Sequence, residues 1–297
     1  MRDPVLTGSC VAIVTPFTQT GIDFDKLREL IERQIAAGTD AICICGTTGE
    51  SSTQSRAEHL AAVRCCVEQA AHRVKVIAGA GSNCTSDAIF LSQSAEDAGA
   101  DALLLVTPYY NKATQQGLIR HYEAIARHVT IPMILYNVPS RTGVSFTAET
   151  YHALSQVEPI QGVKEASGSL SLVTHTRALC GDDFFIWSGN DDQVVPMMSM
   201  GAKGVVSVAA NLIPAEMHRM AQLCLEGDFE AAARRQVAYT PFFDALSCEV
   251  NPIPIKTAMN LAGYQVGGLR LPMCEMTPEH THQLRQALSG LGIPLSQ

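Results

Sequence analysis

The sequence predicts an α/β fold, a (β/α)8 TIM barrel carrying a helical C-terminal appendage. Two observations lead there. Eight short apolar runs alternate with amphipathic stretches along most of the chain, and the remainder has no such alternation. The first run is followed by Thr15-Pro16-Phe17. An open doubly wound sheet, the competing architecture, usually shows a glycine-rich dinucleotide fingerprint at that point.

The candidate strands are, in order, Ser9–Val14, Ala41–Cys45, Lys75–Gly79, Ala102–Val106, Pro132–Tyr136, Ile160–Lys164, Phe184–Trp187 and Gly204–Val208. Short apolar runs that stop at Gly- or Ser-containing turns read as buried strands. Between them apolar residues recur at helical spacing, as in Leu27, Leu30, Ile31 and Ile35, or Leu118, Tyr122, Ile125 and Ala126. Ala210-Asn211-Leu212-Ile213-Pro214 opens the eighth helix, which ends near Gly227. The barrel is therefore assigned to residues 1–227 and the appendage to 228–297. The appendage reads as helices broken at Asn251-Pro252-Ile253-Pro254, at Gly267-Gly268 and at Pro272. No low-complexity segment or long linker implies independently moving parts.

Composition narrows the function. The chain has 297 residues, 46% hydrophobic and 17% charged, with a formal net charge of −8. That size supports a large core, and that charge disfavours a nucleic-acid partner. No N-terminal stretch has the order of a signal peptide, and no apolar run reaches the roughly 18 residues of a membrane helix. A cytoplasmic protein with no membrane partner is expected. The ten cysteines form no CxxC pair and no zinc spacing. They read as small buried hydrophobes, with Cys43 and Cys45 on one side of the second strand and Cys65 and Cys66 on a helix.

Lys164 is the most informative residue. It ends the run Pro159-Ile160-Gln161-Gly162-Val163-Lys164, at the finishing end of a buried strand, where lysine is rare unless it is used. A desolvated amine loses its proton more easily and can form a Schiff base with a ketone. The other lysines differ in position. Lys26 and Lys256 fall in helical patterns, where a solvated face is expected, Lys75 and Lys203 start strands, and Lys112 lies in a polar loop. A snorkelling lysine at a strand end is the alternative for Lys164.

Chemistry in such barrels sits at the C-terminal ends of the strands. After the second strand comes Gly46-Thr47-Thr48-Gly49-Glu50-Ser51. Its glycines and hydroxyls, with the N–H groups of the following helix, suit a small carboxylate. An ordinary capped turn is the bland reading. After the fourth strand comes Thr107-Pro108-Tyr109-Tyr110-Asn111, and after the fifth Tyr136-Asn137-Val138-Pro139-Ser140-Arg141-Thr142-Gly143. A tyrosine among hydroxyls can relay protons, and arginine can grip a carboxylate bidentately. After the seventh comes Ser188-Gly189-Asn190-Asp191-Asp192. That acidic loop disfavours a phosphate site, and capping fits its aspartates better than Mg²⁺.

Taken together these segments, with Gly162-Val163-Lys164-Glu165-Ala166 and Asn251-Pro252-Ile253-Pro254-Ile255-Lys256, resemble the dihydrodipicolinate synthase family of pyruvate-dependent class I aldolases. The motifs span most of the chain in the family's order, and the Tyr-Asn-Val-Pro-Ser-Arg-Thr-Gly segment is the most discriminating. The resemblance implies a homotetramer of two tight dimers. It implies a carbon–oxygen lyase that condenses pyruvate with L-aspartate 4-semialdehyde in the diaminopimelate route to lysine, with no metal or organic cofactor.

Carried over by position, the resemblance implies that Lys164 forms the imine and that Thr47 and Thr48 hold the pyruvate carboxylate. Thr48, Tyr136 and Tyr110 would relay protons, Tyr110 crossing from a neighbouring subunit. Arg141 would bind the semialdehyde carboxylate, and Gly189, Val206 and Asn251 would line the pocket. Free tyrosine keeps its proton to about pH 10, so a chain of hydroxyls serves better than a lone tyrosinate.

Lysine-sensitive relatives bind the inhibitor at the dimer interface. The matching positions are Ser51, Ser52, Arg56, His59, Asn83, Asp87 and Tyr109. Arg56 replaces a histidine and Asp87 is one methylene shorter than the usual glutamate. Weak or partial inhibition by L-lysine is therefore expected.

Two other functions compete. An aldolase for N-acetylneuraminate or a 2-keto-3-deoxy sugar acid would keep Lys164 and Tyr136 but need hydroxyl-binding residues in place of Arg141. A non-catalytic barrel that senses a keto acid would not need Lys164, Tyr136 and Thr48 together.

Overall fold

The computed structural model describes residues 3–296. Eight parallel strands close into a barrel in sequence order, β1 to β8. They are β1 Gly8–Ala12, β2 Ala41–Ile44, β3 Lys75–Gly79, β4 Ala102–Val106, β5 Met133–Asn137, β6 Ile160–Glu165, β7 Phe185–Ser188 and β8 Gly204–Ser207. Two match their sequence-based bounds, and no end of the others departs by more than two residues. Closure pairs Cys10 with Val206 and Val11 with Ser207 across β1 and β8.

Strand alternation sorts the core into two layers. Cys10, Ala12, Cys43, Ile77, Leu104, Ile134, Tyr136, Trp187 and Val206 pack together inside the barrel. Val11, Ile42, Ile44, Val76, Leu103, Leu105, Leu135, Val163 and Ile186 belong to the layer shared with the surrounding helices. Trp187, the chain's one tryptophan, is fully buried and donates its indole N–H to Leu6 O at 3.1 Å. Sequence placed Cys43 and Cys45 on one side of the strand, but they do not share one. The strand stops at Ile44, and Cys45 turns into a left-handed conformation (φ 56°) and packs in the outer layer.

The helices around the barrel are α1 Phe24–Ala36, α2 Arg56–Ala70, α3 Thr85–Asp97, α4 Gln115–Ala126, α5 Pro139–Thr142, α6 Ala148–Ser155, α7 Leu170–Cys180, α8 Val194–Ser199 and α9 Pro214–Leu225. Their starts are legible in caps: Asp23 accepts from Lys26 N, and Ser55 and Glu58 form a reciprocal capping box on α2. α1 buries Leu27, Leu30 and Ile31 as the spacing predicts, but Gln34 rather than Ile35 is its fourth buried residue. The Gln34 amide is satisfied by Ala210 O at 2.7 Å.

Three helices follow: α10 Phe229–Ser247, α11 Ile253–Leu261 and α12 Pro278–Gly290. Residues 251–254 do not act as a plain break. Ile253 and Pro254 open α11, because proline fits a first turn whose amide has no partner in any case. Lys256 is not on a solvated face either. It is 1% exposed, the largest departure from the sequence reading.

Candidate active site

Tyr136 and Lys164 are inward positions of neighbouring strands, paired in register at the finishing ends of β5 and β6; Trp187 of β7 pairs with Lys164 from the other side. Lys164 is 4% and Tyr136 6% exposed. Lys164 Nζ lies 4.3 Å from the centre of the Tyr136 ring, where the ring face attracts a cationic head group. Both line a cleft of about 670 Å³ that also includes Thr48, Arg141, Gly189 and Asn251. Gly189 makes room for the lysine: a Cβ there would stand 3.1 Å from Lys164 Cε and 2.6 Å from Ala166 Cβ.

Behind the two strand ends a buried network holds them. The Glu165 carboxylate accepts from Asn137 Nδ2 at 3.0 and 3.1 Å, from Tyr151 Oη at 2.7 Å and from Ser167 N at 2.8 Å. Each of these strand residues is the chain neighbour of an inward one, Asn137 of Tyr136 and Glu165 of Lys164. Full satisfaction of a buried carboxylate by fixed donors rigidifies the wall that carries the reacting groups.

Thr48 is buried, and its hydroxyl oxygen accepts from Asn251 Nδ2 at 3.0 Å. Asn251 O accepts in turn from Arg141 Nη2 at 3.3 Å. The turn after β2, the short helix α5 and the segment before α11 thus meet over the cleft. Arg141 sits in a helical turn that starts at Pro139 and is ended by Gly143 (φ 70°), where sequence suggested a loop. Its side chain remains exposed at the cleft wall.

Sequence placed a helix N-terminus directly behind the turn at 46–50, but no α-helix starts there. α2 begins only at Arg56, and its capping box takes up the amides of Glu58 and Ser55. The amides of Gly49 and Glu50 bond to Gly46 O and Thr47 O instead. Both ends of the turn, Cys45 and Glu50 (φ 53°), are left-handed without being glycine, a conformation that costs about 1–2 kcal/mol per residue. Glu50 is anchored by Lys256, whose Nζ reaches Glu50 Oε1 at 2.8 Å, Thr15 O at 3.1 Å and Gly268 O at 2.5 Å. Glu50 Oε2 accepts from Arg270 N at 3.0 Å. Burial pulls the Lys256 ammonium below the ordinary lysine range, and the Glu50 carboxylate opposes this. Breaking such a pair on one side leaves a buried charge and costs about 3–5 kcal/mol. Sequence reasoning missed this pair. The available signal was a lysine amid Ile253, Ile255, Ala258 and Met259.

Around Lys164 the other titratable groups are neutralised or engaged. Burial pushes the Cys43 thiol up to about 11 against the pull of Lys164, and raises Cys10 well above the ordinary thiol range. Asp191 acts as a cap: its Oδ2 accepts from Val208 N at 3.1 Å and Ala209 N at 2.8 Å, on the turn after β8. Burial raises its carboxyl, opposed by Ser207, these amides and Lys164. Among the described residues, no three His, Cys, Asp or Glu side chains are grouped to hold a metal ion, and no helix is long and apolar enough to cross a membrane.

Not every expected residue reaches the cleft. Thr47 and Val206 do not line it; Val206 is packed inside the barrel. Tyr110 is 90% exposed and left-handed (φ 72°), outside the cleft of its own chain. The residues matched to a lysine site cluster apart from the cleft. Ser51 and Ser52 lie in a 3-10 turn, and Asn83 Nδ2 donates to Tyr109 O at 3.2 Å. The His59 ring is bonded to Gly79 O at 2.8 Å, and burial holds its pKa below the ordinary range. Arg56 pairs with Asp87 and stacks over Phe90. The Asp87 carboxylate therefore already has a cation.

The model of the family described as Dihydrodipicolinate synthetase family matches residues 5–291. A 4-hydroxy-tetrahydrodipicolinate synthase of Thermoanaerobacter sp. (strain X514) is 54% identical, over 98% of each chain. The chloride-inhibited dihydrodipicolinate synthase of Acinetobacter baumannii, complexed with pyruvate, superposes with a TM-score of 0.95 at 40% identity, over 97% of this chain and 99% of that one. The lysine-bound enzyme of Cyanidioschyzon merolae gives 0.94 at 39% identity, over 98% of this chain and all of the other. With this agreement along nearly its whole length, the chain belongs to the dihydrodipicolinate synthetase family.

Proposed function

We propose that the chain catalyses the reaction for which its relatives are named, 4-hydroxy-tetrahydrodipicolinate synthesis, by joining pyruvate to L-aspartate 4-semialdehyde through an imine at Lys164. The observation that carries this reading is the buried Lys164 amine against Tyr136, in a cleft that also presents Thr48 and Arg141. A relative complexed with pyruvate supports the first substrate.

The chemistry runs in four steps. The Lys164 amine adds to the pyruvate ketone, and loss of water leaves a protonated imine. That imine withdraws electrons, so the pyruvate methyl gives up a proton and becomes an enamine carbon. The enamine attacks the aldehyde carbon of the second substrate, whose carbonyl oxygen takes a proton. The substrate's own amine then adds to the imine carbon, closing the ring and releasing the Lys164 amine. No cofactor takes part, since the imine itself is the electron sink.

Thr48 seats the pyruvate carboxylate, and Thr47, given the same role by the resemblance, stands beside it outside the cleft's lining. Thr48, Tyr136 and a neighbouring subunit's copy of Tyr110 pass the proton. Arg141 grips the semialdehyde carboxylate, and Gly189 and Asn251 shape the pocket, while Val206 stays packed inside the barrel. The assembly is a homotetramer in the cytoplasm, each chain made of a barrel (residues 1–227) and a helical unit (228–297). L-lysine inhibits weakly or partially, because Arg56 occupies Asp87 and adds positive charge.

Borohydride with pyruvate should attach a reduced pyruvyl group to Lys164 and to no other lysine, and Lys164→Ala should remove nearly all turnover. An adduct on Lys112 or Lys203 would sink the assignment. Offered side by side, aspartate semialdehyde should be consumed and sugar acids left untouched; the reverse preference would move the chain to the sugar-acid aldolases. Arg141→Ala should impair use of the semialdehyde more than imine formation.

A further inference from the structure

The turn that carries Thr47 and Thr48 belongs to the barrel in sequence but is held from the C-terminal helices. Its last residue, Glu50, is 3% exposed and left-handed, and nothing in the turn's own backbone requires a carboxylate there. The side chain instead leaves the turn and is fixed at both oxygens, by Lys256 Nζ at 2.8 Å and by Arg270 N at 3.0 Å. Lys256 is itself locked by Thr15 O and Gly268 O and sits 4.5 Å from the centre of the Phe17 ring. Thr15 closes the circuit, since its hydroxyl donates to Gly49 O at 2.7 Å. Five residues before Lys256, Asn251 reaches the other side of the same turn at Thr48. The start of α11 thus grips the turn on both sides of Gly49.

We propose that Lys256 is a positioning residue for the reaction: through Glu50 it holds the left-handed turn so that Thr48 stays in the cleft with Lys164. The inference rests on the proposed imine chemistry and adds that the pyruvate seat is set by the C-terminal helices as well as by the barrel. A left-handed non-glycine residue persists only where its surroundings over-determine it. Without the anchor, Glu50 is free to relax and Thr48 moves with it. The second substrate's carboxylate is held by Arg141 of α5, which touches this circuit only at Asn251 O and not at Glu50 or Lys256. The signature is therefore a split between the two substrates.

The test uses the double variant Glu50→Gln/Lys256→Met, which removes both charges together and leaves no unpaired buried ion, with Glu50→Gln alone beside it. Wild-type protein is first trapped with pyruvate and borohydride; absence of an adduct there would refute the imine reading itself. Given a wild-type adduct, the folded double variant should need at least about tenfold more pyruvate for half-maximal trapping, and its pyruvate KM should rise likewise. Its semialdehyde KM should stay within about twofold of wild type. Unchanged pyruvate dependence overturns the proposal. So does a rise of both KM values together in step with a lowered Tm, which is what a merely structural role produces. If the double variant does not fold, Glu50→Gln carries the same comparison, and wild-type pyruvate dependence in it overturns the proposal equally.

Discussion

Gly189 shows how tightly the lysine is enclosed. An added methyl would press on Lys164 Cε at 3.1 Å and on Ala166 Cβ at 2.6 Å, well inside contact distance. Gly189→Ala should therefore displace the amine and lower the rate of imine trapping by about 10²-fold or more, as misplacement near 1 Å does. Because the clash falls at the wall of an open cleft, Tm should fall by only a few degrees. Trapping at the wild-type rate would show that the lysine has slack the geometry denies. Tyr136→Phe and Thr48→Val should each slow turnover by about 10²–10⁴, the range for lost proton transfer. That Lys164, Tyr136, Thr48 and Arg141 would line one cleft was legible in sequence because each stands at a strand end or just after one. Lys256 was not legible. Helical spacing says which face a residue occupies, not which partner waits there, and Glu50 lies more than 200 positions away.

At the scale of elements, α3 and α4 are joined by a group that titrates below neutrality. His121 of α4 is buried, its ring bonded to Thr85 of α3 at 2.9 Å, and burial alone lowers its pKa to about 4. In the unfolded chain the same ring titrates at about 6.5, so between pH 6.5 and 4 the unfolded state binds the proton first. Stability should be full above that window and fall as pH drops through it, by up to about 3 kcal/mol from this residue. His59, also held low by burial, adds in the same direction. Urea unfolding at pH 7 and pH 5 measures the loss, and His121→Asn should make it visibly smaller. An unchanged slope in that variant would remove His121 as the cause. Element order was readable because period-two and period-3.6 patterns alternate. The ends were less so, since Cys45 leaves β2 through a left-handed turn that no periodicity marks.

At the scale of the molecule, the barrel's family and closed topology followed from the order of motifs, but its completeness did not. Tyr110 lies outside its own cleft, 90% exposed in a left-handed conformation, next to the partly exposed Tyr109. If it serves a neighbour, mixed assemblies of Tyr110→Phe and Lys164→Ala chains should regain activity that neither has alone. Verified mixed dimers with no regain would count against a shared site. Calorimetry and initial rates on the wild-type protein should find L-lysine binding only at millimolar concentration with incomplete inhibition. Tight binding with full inhibition, or none at all, would contradict the reading of Arg56 and Asp87. A single chain's sequence carries no pattern that says which copy's cleft a surface tyrosine enters.

The lone tryptophan gives the barrel a built-in optical probe. Trp187 is dry, lies in register beside Lys164, and is tied by its indole to Leu6 near the chain's start. Indole emission from this chain therefore comes from one place, the inside of the barrel beside Lys164. Light absorbed there reports a covalent change at Lys164, or water entering the barrel. It stays silent about α10 to α12 unless their loss reaches the strands.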